Sequence, residues 1–245
     1  MILFLAIALP VVLAEIIPAQ PEGPSTLSIV NSSRRAPEGA ATLETIAGNV
    51  TQLSIDGQTV TQTWQAYYGN ITGKVILGDA SNHTIYNWDA TSPKGEIFAS
   101  EAPIDFAYGN VLCYDFNATD VGNSNFTTLN EYETSIGLEI DDVDGIDETF
   151  TQTTNYSNFY VGSKIINETC PMTNPYGENE TKDANKFQEL LLYDNTSNKP
   201  IYTSILEQDV LGFDGNYWDF EMLVAQNGHN GNTESTTYYF YVEIE

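Results

Sequence analysis

LLLYDNTSNKPIYTSI, residues 190–205, decides how this chain reads. An apolar run from Leu190 to Tyr193 meets an Asp/Asn-rich turn, and the chain restarts at Ile201-Tyr202 with β-branched and aromatic residues. That is the pattern of two antiparallel strands joined by a tight connection. VILGDASNHTIYNW, residues 75–88, repeats it with one residue fewer in the turn. A shared hairpin grammar accounts for the match, and a two-fold repeat of half-domains is the alternative.

The same alternation extends outward. Runs rich in Thr, Val, Ile, Tyr and Phe, punctuated by Asn, Asp and Gly, predict strands over Ala41–Ile55, Thr59–Tyr67, Gly73–Leu77, Thr84–Trp88, Gly95–Ala99, Phe159–Ile165, Phe187–Tyr193, Ile201–Leu206, Trp218–Ala225 and Thr236–Ile244. Helix is expected only over Thr127–Ile136. The fold class is therefore all-β, an antiparallel β-sandwich of immunoglobulin-like or jelly-roll-like type. The stretch 105–149 lacks regular alternation and reads as an insertion with a short helical or irregular part.

Toward the amino terminus, Pro18, Pro21 and Pro24 with Glu22 and Gly23 make residues 15–24 an extended linker, so that the β-domain spans 25–245. Residues 1–14, MILFLAIALPVVLA, are apolar and uncharged. At about 1.5 Å per residue a helix of that length falls short of the roughly 30 Å hydrocarbon core. One reading is a secretory signal, with Val12-Leu13-Ala14 as an A-x-A-like cleavage site, although a basic leader is missing. The other is a retained segment buried among copies of itself in a filament core, although Pro10 would interrupt a helix. That second arrangement resembles archaeal pilins and archaellins, in which an apolar helix assembles and a glycosylated β-domain coats the outside.

Ten Asn-x-Ser/Thr sequons stand along the chain, at Asn31, Asn49, Asn70, Asn82, Asn117, Asn125, Asn155, Asn167, Asn179 and Asn195. With 22 Asn and 41 Ser plus Thr among 245 residues, chance gives roughly four. The excess points to N-linked glycans and an extracellular or cell-surface location. No sequon falls within residues 196–245. This glycan-free tail, with its aromatic run Tyr238–Tyr241, is expected to form core or subunit interface. Cys113 and Cys170 lack metal-site spacing, and in an extracellular setting they are expected to form one disulfide closing a loop of 58 residues, counted inclusively. Two free buried thiols are the alternative.

The formal net charge is −26, with 34 acidic against eight basic residues, which argues against nucleic acid and anionic membranes as partners. Arg34 and Arg35 read as a solvated surface pair. His83 and His229 both lie in predicted turns without a nucleophile elbow, so no triad is evident and no catalytic residue is assigned. Paired carboxylates could serve glycoside hydrolysis, but no local motif selects two of them. Trp64, Tyr67, Tyr68, Trp88 and Trp218 are expected in the core, with sugar stacking as the competing role. The acidic run EIDDVDGIDE, residues 139–148, fails as an EF-hand, because Gly145 at the sixth loop position would put Ile140 first and Thr151 last. Asp141, Asp142, Asp144 and Asp147 remain as an irregular calcium candidate beside a plain solvated loop.

Several segments together carry a resemblance: Thr63 to Gly73 (TWQAYYGNITG), Asn87-Trp88, Gly95 to Ser100 (GEIFAS), Glu168 to Pro171 (ETCP), Gly212 to Asp214 (GFD), Asp219 to Val224 (DFEMLV) and Asn227 to His229 (NGH). The chain resembles a family of secreted, sequon-rich β-proteins encoded by small-genome archaea. The resemblance implies an archaeal surface origin with N-linked glycans and says nothing of catalysis. The expectation is a non-enzymatic structural subunit of an extracellular filament or surface assembly whose partners are copies of itself, without nucleic acid or substrate. Its rival is a secreted binding module for carbohydrate or cell adhesion.

Overall fold

The computed structural model describes residues 20–90, 93–107, 109–118, 127–152, 156, 158–167, 169–228 and 235–244. The apolar segment 1–14, the start of the linker, Asn125, Asn155 and His229 lie outside the described residues. The strands are β1 (Trp64–Gly69), β2 (Gly73–Gly78), β3 (Thr84–Ala90), β4 (Gly95–Ser100), β5 (Val111–Cys113), β6 (Phe159–Val161), β7 (Lys164–Ile166), β8 (Met172–Thr173), β9 (Glu189–Asp194), β10 (Lys199–Ile205), β11 (Val210–Leu211), β12 (Tyr217–Trp218), β13 (Phe220–Ala225) and β14 (Tyr239–Ile244). Two short helices, α1 (Leu129–Ser135) and α2 (Ile146–Thr149), lie between β5 and β6. The fold is all-β, antiparallel and sandwich-like.

The central sheet runs β14-β4-β10-β9-β5, with β8 also paired to β9. Successive side chains of a strand point to opposite faces, and here both faces are covered. Ile97, Ala99, Leu191, Tyr193 and Tyr202 meet Met222 and Val224 of β13 and Leu129, Tyr132 and Ile136 from α1 and its end. On the opposite face Phe98, Leu190, Leu192 and Ile201 meet Phe159, Val161, Ile166 and Met172. The hairpin read first in the sequence, β9–β10, is thus the middle of the molecule. Its registry pairs Tyr202 with Leu191 and Thr203 with Leu190.

Helix α1 forms where expected because Thr128 and Glu131 make a capping box: the Thr128 side chain accepts from the Glu131 N–H, and the Glu131 carboxylate accepts from the Thr128 N–H. Cys113 and Cys170 form the expected disulfide, with Cα atoms 5.0 Å apart, tying β5 to the approach to β8. The stretch read as an insertion supplies β5 to the central sheet and the buried Tyr114, Tyr132 and Ile146 to the core.

Three expected strands differ. Thr59–Tyr67 is strand only from Trp64, where β1 begins and runs on to Gly69. Phe159–Ile165 is a hairpin, β6–β7, because Gly162 takes φ +56° and turns the chain. Ala41–Ile55 forms no strand: Gly48 at φ +91° breaks it at a turn in which the Asn49 N–H donates to the Ile46 carbonyl, and neither half finds a strand partner among the described residues. Residues 25–59 are exposed throughout. Both ends of this long arm are anchored. Glu22 exchanges two backbone hydrogen bonds with Val242 of β14, and the Thr61 hydroxyl donates to the Asp144 carboxylate. Among the described residues no helix is long and apolar enough to cross a membrane.

Candidate functional site

The hairpin β2–β3 stands apart from the central sheet as a two-stranded ribbon. Its turn is built by Asp79, whose Oδ1 accepts from the N–H groups of Ser81 and His83 while Oδ2 lies 2.9 Å from His83 Nδ1. Asn82 supplies the left-handed residue at φ 63°. The bonds from His83, its backbone N–H first, hold the Asp79 carboxyl below the usual carboxylate range. The registry pairs Val75 with Trp88 and Leu77 with Tyr86, which puts these four on one face. All four are exposed, Leu77 at 55% and Trp88 at 52%, and the Tyr86 and Trp88 rings lie 4.9 Å apart on one another. The other face carries Ile76, Asn87 and the Lys74–Asp89 ion pair at 3.1 Å. The ribbon crosses the end of β14, where Gly73 lies against the Ile244 side chain.

The arm offers a matching surface. Leu27, Ile29, Val30, Leu43, Ile46, Val50, Leu53 and Ile55 are all exposed, Leu53 at 57% and Ile55 at 84%. In an extended VTQLSI segment, residues 50–55, Leu53 and Ile55 share one face and Gln52 and Ser54 the other. The arm carries Arg34 and Arg35 against Glu38, Glu44 and Asp56, so it is close to neutral on a strongly acidic chain.

A second feature is a groove of about 400 Å³ whose lining includes Tyr67, Tyr68, Tyr176, Phe213, Lys182 and Glu221. Tyr68 packs edge-on against Phe213 and Trp218, each at 5.0 Å, and Lys182 lies over the Tyr176 ring. Glu221 is buried, and its Oε1 accepts from the Phe213 N–H at 3.0 Å. Burial, opposed by that bond, pushes its carboxyl up to about 7. Glu148, from the acidic run 139–148, also lines the groove.

Among the described residues, Glu133, Asp147 and Glu148 place carboxylate oxygens within 4.8 Å of one another, a spacing that suits a hard cation. Of the four aspartates expected at a calcium site only Asp147 belongs to this group. Asp142 accepts from the Glu139 N–H and Asp144 from Thr61, and Asp141 takes a left-handed backbone at φ 77°. No motif singles out Glu133, which is buried beneath the acidic loop and accepts from the Ile146 N–H. Burial first, then repulsion from Asp147, Glu148 and Asp142, pushes its carboxyl up to about 7 against that hydrogen bond.

All eight described sequon asparagines, Asn31, Asn49, Asn70, Asn82, Asn117, Asn167, Asn179 and Asn195, are exposed. The tail without sequons contributes β10 and β13 to the core and β14 to one side of the central sheet. Of the five aromatics expected inside, Tyr68 and Trp88 are exposed, while Trp64, Tyr67 and Trp218 are half-buried. Trp64 donates its indole N–H to the Asp144 carbonyl at 2.7 Å. His83 sits in an exposed turn, as read. No protein-family model, curated protein or solved structure matches this chain.

Proposed function

We propose that the chain is a structural subunit of an extracellular assembly, N-glycosylated on its outer surface and built from copies of itself. The observation that carries this reading is the coexistence of an uncovered apolar hairpin face with a long, uncovered, strand-prone arm. Monomeric proteins rarely leave contiguous large apolar patches in water, and loops beyond about 15 residues without structure of their own are uncommon in compact domains. A chain of net charge −26 is well solvated without help from such surfaces, so they are the expense of an interface. Exposure of the eight sequon asparagines and the disulfide support an extracellular setting. The test is light scattering and negative-stain imaging of the secreted protein across a salt series. Polymers that grow as salt screens the acidic bodies support the reading; a monodisperse monomer at every salt and at millimolar protein removes it.

A second reading, a carbohydrate-binding module, is favoured by the groove at Tyr68, Tyr176 and Phe213, where aromatic rings and carboxyl groups converge as they do in saccharide sites. Calorimetric titration with neutral oligosaccharides tests it. Heat of binding abolished by Tyr176→Ala supports this reading, and no heat at millimolar sugar sinks it.

A further inference from the structure

We infer that residues 50–55 of one copy add as a third strand to the β2–β3 ribbon of a second copy, an inference that rests on the self-assembly reading above and specifies its contact. A two-stranded ribbon has two unpaired edges, and a strand-prone segment that pairs with nothing among the described residues is the natural complement to one. The segment VTQLSI matches the six residues of β2 in length, and its alternation puts Leu53 and Ile55 on the side of Val75, Leu77, Tyr86 and Trp88. Gln52 and Ser54 then join Ile76, Asn87 and the Lys74–Asp89 pair. In the structure the arm and the ribbon of one molecule do not pair with each other.

Reach and charge point to a second copy. The 38 residues 23–60, held at both ends, extend up to about 60 Å from the body when drawn out. The near-neutral arm brings Arg34 and Arg35, a quarter of the eight basic residues, toward a neighbour that is strongly acidic, so the arm is the part of the molecule that another copy repels least. Glycan acceptors bracket the contact and do not enter it. Asn49 precedes the segment, Asn70 precedes β2 and Asn82 sits at the tip of the turn. Because the arm of one copy engages the ribbon of the next, the contact is heterologous and leaves a free arm and a free ribbon at the two ends, which is the condition for an open polymer or a ring.

The test uses two single-cysteine variants of the full chain, Leu53→Cys and Leu77→Cys, mixed and treated with a short bis-maleimide so that the native disulfide is untouched. A covalent dimer joining position 53 of one copy to position 77 of another is the expected product. Linkage found only within one chain, in a molecule carrying both substitutions, overturns the inference, as do 53–53 and 77–77 dimers forming as readily as 53–77. The double variant Leu53→Asp/Ile55→Asp changes only exposed positions and should raise the protein concentration needed for assembly by about tenfold or more. Fibres that persist unchanged in that variant refute the arm contact while leaving self-assembly standing. The 53–77 dimer in a sample that never extends beyond closed dimers supports the contact and refutes the filament.

Discussion

The two hairpins β2–β3 and β9–β10 share a turn chemistry and differ in everything around it. Asp79 and Asp194 each open the turn by accepting backbone N–H groups downstream, Ser81 and His83 in one case, Thr196 and Ser197 in the other. Each turn closes through an asparagine in the left-handed region, Asn82 at φ 63° and Asn198 at φ 58°. The N–H of each asparagine returns to the carbonyl of its aspartate, at 3.0 and 2.9 Å. Yet β9 is buried from end to end between β10, β5 and β8, while nearly every residue of β2 and β3 faces water. Local grammar makes a hairpin; only neighbours bury it. A ribbon whose apolar face no described part of its own chain covers is a surface awaiting a neighbour.

Replacing equivalent apolar residues sharpens the contrast most. Leu191→Ala in β9 opens a cavity between Tyr202, Met222 and α1, and should cost about 2–5 kcal/mol in urea unfolding of the monomer. Leu77→Ala in β2 should cost less than about 1 kcal/mol in the same experiment, because its side chain is already in water. Equal costs would break the comparison.

The disulfide comes next. Cys113 pairs opposite Leu192 of β9, and its bond to Cys170 ties β5 of the central sheet to the chain entering β8. Cys113→Ala/Cys170→Ala should cost about 2–4 kcal/mol by the loop-closure argument, read as a fall in the unfolding midpoint. Amide exchange in β2–β3 should not change.

Acidity separates the two regions by sign. Burial holds Glu189 at the start of β9 well above the usual carboxylate range, opposed by the Leu223 N–H, and raises Glu221 to about 7. A carboxyl raised in the folded state binds its proton more tightly there than in the unfolded chain, so stability is highest at low pH and falls as pH rises from about 4.5 through 7. The melting temperature should therefore be several degrees higher at pH 5 than at pH 8, an effect that relief of acidic self-repulsion reinforces. Asp79, lowered by its bonds to His83, runs the other way: its contribution is present above the ordinary aspartate range and lost as pH falls through its lowered value. Carbon-detected titration of the β2–β3 turn should show the turn loosening on acidification while the core tightens.

How far the sequence carried these assignments follows from the range of the forces involved. The strands β2, β3, β4, β9, β10 and β13 were legible because alternation, β-branching and turn residues act within a few positions. Helix α1 was legible because Thr128 and Glu131 sit three apart. The break at Gly48 and the turn at Gly162 depend on a positive φ that a glycine permits and does not demand. The meeting of Glu133 with Asp147 and Glu148, and of Glu221 with Tyr176 and Phe213, joins distant parts of the chain, and no spacing announces it. Exposure of the ribbon was hidden for the same reason: Val75 to Leu77 reads as apolar as Leu190 to Leu192.

The claim that the uncovered arm and ribbon are covered by another copy is tested most directly by amide hydrogen exchange at low and high protein concentration. The account predicts that residues 50–55 and the strands β2 and β3 become protected together as assembly sets in, while β9 and β10 are slow at both concentrations. Exchange in the arm and ribbon that stays fast and independent of concentration, in a sample that has visibly assembled, would contradict it.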